Sequence, residues 1–459
     1  MSIQVPEQTT ESLLRSEIHR EFSSGRTRSA EWRIAQLRGI EALCREREHE
    51  IAAALAADLG RSAVEAWLGD VASTAGEAAF ARRHLKKWMR TQRVSLPLAQ
   101  LPGRGWVQYE PLGTVLVIGP WNYPFYLAMA PVVAAVAAGN CVVIKPSELA
   151  PATSELIATL VPKYLDSSAI RVVQGGADTT QNLLAQGFDH AFFTGGTEVG
   201  RKIMAAAAPT LTPVTLELGG KSPVIVTAGA DIEVAARRLA YTKLINAGQT
   251  CIAPDYVLAD AAIADELADR IVASIVAFQD APTLRIVNDR QFDRLVASIR
   301  ETSGKVLHGA TYDRASLRIA PTVIIDPSPD DQVMTGEIFG PILPILSVDS
   351  EETAVKFVNE RPKPLALYVF AGSQKAGAAI VDRVPSGGAV VNHIMMHCLV
   401  PQLPFGGVGA SGMGDYHGRW GFERLSHRRA VLAKRTFPDP SIIYPPYGKA
   451  ALKIMRKLF

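Results

Sequence analysis

The chain has 459 residues, too many for one ordinary core, so two or three domains are expected. Hydrophobic residues make up 48% and charged residues 20%, the balance of a soluble globular enzyme. A net charge of +3, from 48 basic and 45 acidic residues, gives no ground for nucleic-acid binding.

The start, Met1 to Glu17, is polar and acidic and carries no secretory signal. Apolar positions then recur at helical spacing through Trp32–Ala57, and a basic stretch, Arg82–Met89, closes a helical first ninety residues. Thr91 to Tyr109, rich in Pro, Gly and β-formers, reads as a connecting hairpin outside the core. From Thr114 short apolar runs begin at Thr114, Cys141, Ile170, His190 and Pro213, with helical stretches between most of them. That spacing is the signature of βαβ units and a parallel sheet, whose ligands bind at the carboxyl ends of the strands. The longest apolar run, Leu127 to Ala138, falls short of the ~20 residues that span a bilayer and reads as a buried helix.

A second alternating region follows. Its strands are expected at Ser222–Thr227, Asp255–Ala259, Ile319–Ile325, Pro341–Val348, Leu365–Ala371 and Gly388–His393. Leu403 to Tyr416 is glycine-dense and reads as an irregular loop. At the end, Leu452, Met455 and Phe459 share a helical face, with Lys449, Lys453, Arg456 and Lys457 around them. Such a tail packs on its own domain or on a dimer partner, the favoured reading, or lies on an anionic membrane. Cys44, Cys141, Cys251 and Cys398 form no CxxC pair, which argues against a disulfide framework or a zinc site and fits a reducing, cytoplasmic setting.

Cys251 follows the tight turn Gly248-Gln249-Thr250, which could aim a sulfur and a backbone N–H at a substrate. Alone it also reads as a small buried hydrophobe. Asn122 stands after the Thr114 strand, where an amide N–H can hold an oxyanion or simply make a turn. Glu217, at the end of the Pro213 strand before two glycines, suits a general base on water or a solvent-facing strand end. Lys145 and Glu148 follow the Cys141 strand, as ribose ligands or as a surface ion pair. A carboxylate there also repels a 2′-phosphate. Gly195-Gly196-Thr197-Glu198-Val199-Gly200 opens a helix whose N-terminus could take a pyrophosphate, without the full G-x-G-x-x-G fingerprint.

Together PWNYPF, KPSE, FTGGTEVG, LELGGKSP, NAGQTCIAPDYVL, EIFGPILPI and LPFGGVGASGMGDYHG resemble the aldehyde dehydrogenase superfamily, and most closely its class three branch of fatty, aromatic and coniferyl-type aldehyde dehydrogenases. The resemblance runs from Asp58 to about Val431. It implies an α/β fold with a Rossmann-like cofactor domain (1–90 and 110–218), an α/β catalytic domain (219–425), a small bridging segment (91–109 and 426–445) and the basic tail (446–459). It implies Cys251 as nucleophile, Asn122 and the Cys251 N–H as oxyanion hole, and Glu217 as base. Glu337 and Phe339 are then expected at the nicotinamide ribose and ring, and Lys145 at the adenosine ribose. Gly195 to Gly200, with Leu218 beyond them, are expected at the pyrophosphate side. Trp67, Tyr123 and Leu127 resemble pocket positions, with core packing as the other reading for Trp67 and Leu127.

The implied activity is NAD(P)-dependent oxidation of a medium- or long-chain aliphatic or an aromatic aldehyde to the acid, with NAD ahead of NADP, in a homodimer without a metal. Acyl-CoA- or acyl-phosphate-linked reduction on the same fold, or an inactive binding scaffold, are the alternatives. Two departures stand out: the stretch between Ala277 and Ile286 is several residues shorter than usual, and Gly196 replaces the Ser or Asn of many members.

Overall fold

In the computed structural model, residues 10–278, 284–439 and 441–458 are described. Much of the shortened loop near 280, residues 1–9 of the polar start and Phe459 lie outside them. Two main sheets carry the molecule. The first is ordered Gly412–Met413, Val214–Leu218, His190–Gly195, Thr114–Ile118, Cys141–Lys145, Ile170–Val172, parallel except for the first strand. The earliest strand, Thr114–Ile118, lies in the middle, and chain order runs outward from it both ways. That makes a switch point between Thr114–Ile118 and His190–Gly195, the place where a crevice opens at the carboxyl ends. Both faces are covered, so Thr114–Ile118 and Cys141–Lys145 are buried at every residue and read as unbroken apolar runs rather than alternations.

The second sheet is ordered Lys305–His308, Thr322–Ile325, Ile342–Val348, Tyr256–Asp260, Pro223–Val226, Ala366–Phe370, Gly388–Val391, with only the Lys305–His308 edge antiparallel. A third, three-stranded sheet joins Gln92–Val94, Gly103–Pro111 and Ser426–Lys434, the last two paired over their full length. The expected hairpin is thus one part of a sheet completed from the far end of the chain.

Several expected elements differ in detail. The helical run over Trp32–Ala57 is two helices, Ala30–Glu46 and Glu48–Leu59, broken at Arg47. The Ile319–Ile325 strand is split at Pro321, which has no N–H for a ladder. Arg318–Ile319 pairs instead with Tyr312–Asp313. The glycine-rich 403–416 segment is not wholly irregular: Gly412–Met413 pairs with Glu217 and Leu216. The helix Gly418–Arg424 then lies against Tyr126–Ala138, where a Cβ on Gly421 would sit 2.8 Å from that of Ala134. The second unit therefore hands its last part back to the first. In the tail helix Ala451–Leu458, Ala451 is buried while Leu452 and Ile454 stay exposed. Among the described residues no helix is long and apolar enough to cross a membrane.

Gly412 has φ 141°, and a Cβ there would stand 2.1 Å from the Leu216 carbonyl oxygen. Gly412→Ala is expected to lower stability by about 1–3 kcal/mol, the usual cost of a strained backbone position. Urea unfolding, read as a shifted midpoint at unchanged slope, checks this.

Candidate active site

A cleft of about 900 Å³ lies between the two parallel sheets. The first sheet presents carboxyl-end residues to it: Asn122, Lys145, Gly195, Gly196 and Glu217. The second presents the segments that lead into its strands: Cys251 before Tyr256–Asp260, and Glu337 and Phe339 before Ile342–Val348. Those two strands are parallel neighbours, so both segments emerge at the same sheet edge.

Cys251 is delivered by an unusual turn. After the helix Ile232–Leu244, Asn246, Ala247 and Gly248 stand at φ 51°, 52° and 70°, three left-handed residues in succession. Glycine is required at the third, where a Cβ would lie 2.2 Å from the Gly340 carbonyl oxygen. Side chains hold the turn. Asn246 Nδ2 donates to the Asn122 carbonyl at 3.0 Å and to the Gln249 carbonyl at 2.9 Å. Gln249 Nε2 donates to the Arg285 carbonyl at 3.1 Å, and Gln249 Oε1 accepts from the Val287 N–H at 3.0 Å. Asn122 Nδ2 donates to the Gln249 carbonyl at 3.1 Å, which uses one hydrogen of the amide and leaves the other for the cleft. The Cys251 thiol is pushed up, first by burial and then by Glu337 and Glu217, so it rests as a neutral thiol.

Burial also raises the two carboxyls that face this cleft. Glu217 is buried, and neither oxygen has a hydrogen-bond partner. Burial foremost, then the Asp415 charge, raises it well above the usual range, against Arg424. Burial pushes Glu337 up to about 8, with Asp255 adding to the shift. Its Oε1 also lacks a partner, and a Cβ on Gly219 would stand 2.1 Å from its Oε2. Gly219 is thus the space in which that carboxyl lies. An orphaned acceptor in a glycine cradle, beside a second orphaned carboxyl, fits a ligand with hydroxyl donors such as a nucleotide ribose. Phe339, at φ 48°, meets the Trp121 ring edge-on at 5.4 Å.

Along the rest of the cleft, Lys145 Nζ donates to Glu148 at 2.7 Å. Burial raises the Glu148 carboxyl, but the Lys145 hydrogen bond and a backbone donor outweigh it and leave Glu148 below its usual value. Gly196 faces open space, so the missing Ser or Asn side chain leaves the backbone accessible. Val199 and Leu127 line the cleft. Gly200 does not line it; a Cβ there would stand 2.6 Å from the Leu218 side chain, so these two residues set the helix–strand spacing. Thr197 Oγ1 donates to the Ala410 carbonyl, and Glu198 is turned to solvent against Arg201. Tyr123 bonds Thr250 Oγ1 at 3.0 Å rather than lining the cleft, and Trp67 is half exposed outside it. Two roles have no strong signal in the sequence. Arg294 donates to the Glu337 and Ile338 carbonyls at 3.1 and 2.6 Å from an amphipathic helix. Asn246 opens the segment NAGQTC, and asparagine's tolerance of left-handed backbone is the only clue to its part.

A parallel-sheet nucleotide fold facing a thiol, an amide donor and two dry carboxyls defines an oxidoreductase that works through a cysteine. The chain belongs to the aldehyde dehydrogenase family, whose profile it matches over residues 14–431. It is 43% identical to aldehyde dehydrogenase family 3 member H1 of Arabidopsis thaliana, over 96% of this chain and 93% of that protein. It is 45% identical to a Rattus norvegicus protein described as aldehyde dehydrogenase, dimeric NADP-preferring, over 93% of this chain and 95% of that one. The solved structure of Staphylococcus aureus AldH superposes with a TM-score of 0.94 at 37% identity, covering 98% of this chain and all of that one. The protein is accordingly an NAD(P)-dependent aldehyde oxidoreductase of the class three branch.

The raised Glu337 carboxyl has a consequence for stability. Between its unfolded value near 4.5 and its folded value near 8, the native state keeps a proton that the unfolded chain has lost. Stability from this group is full at low pH and is lost as pH rises through that window. Wild type should lose stability relative to Glu337→Gln from about pH 5 to about pH 8, measured by chemical denaturation of both proteins without cofactor.

Proposed function

We propose that Cys251 is the nucleophile, Asn122 with the Cys251 N–H the oxyanion hole, and Glu217 the base that activates water, in oxidation of a bulky apolar or aromatic aldehyde to its acid. The observation that carries this is the opening of Cys251, Asn122 and Glu217 on one cleft from three separate segments.

The thiol must first lose its proton; a nearby carboxyl, Glu217 or Glu337, accepts it only once ionised, and passes it to solvent before Glu217 acts on water. Cys251 sulfur then bonds the aldehyde carbon, and the free N–H of Asn122 holds the oxygen that becomes negative. When bound, NAD(P) supplies the hydride acceptor and a cationic ring. Glu337, Lys145, Gly195 and Gly196 line the cleft, where Glu337 and Lys145 would hold the cofactor's two riboses and the Gly195–Gly196 backbone its pyrophosphate. Oxidation of the thiohemiacetal carbon leaves a thioester on Cys251. Glu217 takes a proton from water as it adds to that thioester, and the acid departs with Cys251 restored as a thiol or thiolate. A carboxyl raised by burial becomes a better base as pH rises, so turnover should climb on the alkaline side.

Glu148, paired with Lys145, supports NAD ahead of NADP, since its charge opposes a 2′-phosphate. The dimeric description of the rat relative supports a homodimer here. In the same reading the tail helix serves that assembly, and its exposed Leu452 and Ile454 beside basic residues keep membrane contact as the other role. Four unpaired cysteines support a cytoplasmic setting.

Cys251→Ala is expected to abolish NADH formation in a stopped-flow assay with NAD and an aromatic aldehyde. Glu217→Gln should retain the first-turnover NADH burst, lose at least ~100-fold in steady turnover, and show the acyl adduct by intact-protein mass. Its alkaline climb should vanish as well. A Glu217→Gln enzyme with normal turnover would remove Glu217 from the mechanism.

A further inference from the structure

Arg61 does not line the cleft, yet its guanidinium bonds Asn122, which does, and Asn246 in the turn that leads to Cys251. It follows Gly60, the left-handed residue that ends the helix Glu48–Leu59, and its side chain is 1% exposed. One nitrogen donates to the backbone carbonyl of Asn122 at 2.5 Å. Nε donates to Asn246 Oδ1 at 3.3 Å. The third nitrogen pairs with Asp70, which is fully buried. The other oxygen of Asp70 accepts the N–H groups of Phe125 and Tyr126 at 3.2 and 2.8 Å. Beneath the guanidinium lies the Tyr123 ring, 4.1 Å away, whose hydroxyl reaches Thr250.

We propose that Arg61, held by Asp70, is a positioning residue that locks the oxyanion donor and the nucleophile turn to each other. Asn122 comes from the first sheet and Asn246 from the segment feeding the second; one direct bond joins them, Asn246 Nδ2 to the Asn122 carbonyl, and Arg61 reinforces it by bonding both residues. The guanidinium does so in one plane. Asn122 is then held at its carbonyl by Arg61 and Asn246, and at its amide by Gln249. Asn246 is held at both ends of its amide, which keeps the left-handed turn before Cys251 in place. A buried ion pair gains little net stability over an apolar pair of the same shape, so fold stability alone is a poor reason for this one. Lysine could keep the charge and the Asp70 contact but cannot serve three acceptors in a fork.

The proposal rests on the reading of Asn122 as oxyanion donor, and the test separates the two. Arg61→Lys, Asn246→Gly, the double variant and Asn122→Ala are compared with wild type. Glycine at 246 accepts the left-handed backbone while removing the amide. Readouts are the NADH burst rate, KM, NAD affinity by fluorescence, cofactor-free hydrolysis of p-nitrophenyl acetate, and thermal unfolding. Arg61→Lys is expected to lower burst and ester hydrolysis together by about 10–100-fold, with KM and NAD affinity within about threefold. Asn246→Gly should show a similar loss, and the double variant should be scarcely worse than either single one. If Arg61→Lys keeps a wild-type burst, or if its substrate and NAD binding weaken in step with its rate, the positioning role is overturned. Should Arg61→Lys fail to fold, Asn246→Gly decides, and a wild-type burst there overturns the role equally. Wild-type rates in Asn122→Ala would instead undo the oxyanion assignment itself.

Discussion

Burial of the acidic groups that face the cleft governs the chemistry of this enzyme. Cys251, Glu217 and Glu337 are three acidic groups held close together, and burial raises each of them above its ordinary value. The fold therefore disfavours the charged form of each, because an unpaired buried charge is expensive. A thiol held neutral resists unproductive reaction, and a carboxyl held neutral becomes a base only when its surroundings change. Ligands that bring positive charge or polar partners into the cleft supply that change. The orphaned oxygens of Glu217 and Glu337 are the places where the fold has left satisfaction to something it binds.

This arrangement needs two sheets because neither could supply it alone. One offers the ends of its strands, where loops leave a crevice over nucleotide-binding turns; the other offers the approaches to its strands, where Cys251 and Glu337 arrive side by side. The N-terminal helices are the third party. They carry no cleft-lining chemistry, but Asp70, and Arg61 in the link between two of them, reach to where the other two meet.

The site is more legible in the sequence than its support. Buried parallel strands write themselves as apolar runs, so Thr114–Ile118, Cys141–Lys145 and His190–Gly195 stand out, and with them the strand ends that bear Asn122, Lys145 and Glu217. Short elements write almost nothing: Gly412–Met413 has no room for a period, and Lys305–His308 is a four-residue edge with no buried residue. Position along a loop also says little about direction, which is why Glu198 and Thr197 fall inside a recognisable motif while their side chains are engaged elsewhere. Arg61 is hidden for another reason. Asp70 is near in sequence, but the partners at the site, Asn122 and Asn246, sit 61 and 185 residues away, and no local pattern reports a contact of that range.

The return of Gly412–Met413 to the first sheet also bears on how the molecule is made. Until those two residues leave the ribosome, Val214–Leu218 is an open edge with unpaired backbone groups. The three-stranded sheet waits longer still, since Gly103–Pro111 finds its long partner only at Ser426–Lys434. Unprotected edges and distant pairings are the features that slow folding and invite chains to associate wrongly. Cys251 emerges well before either edge is closed, so during synthesis the reactive thiol rides on an unfinished scaffold.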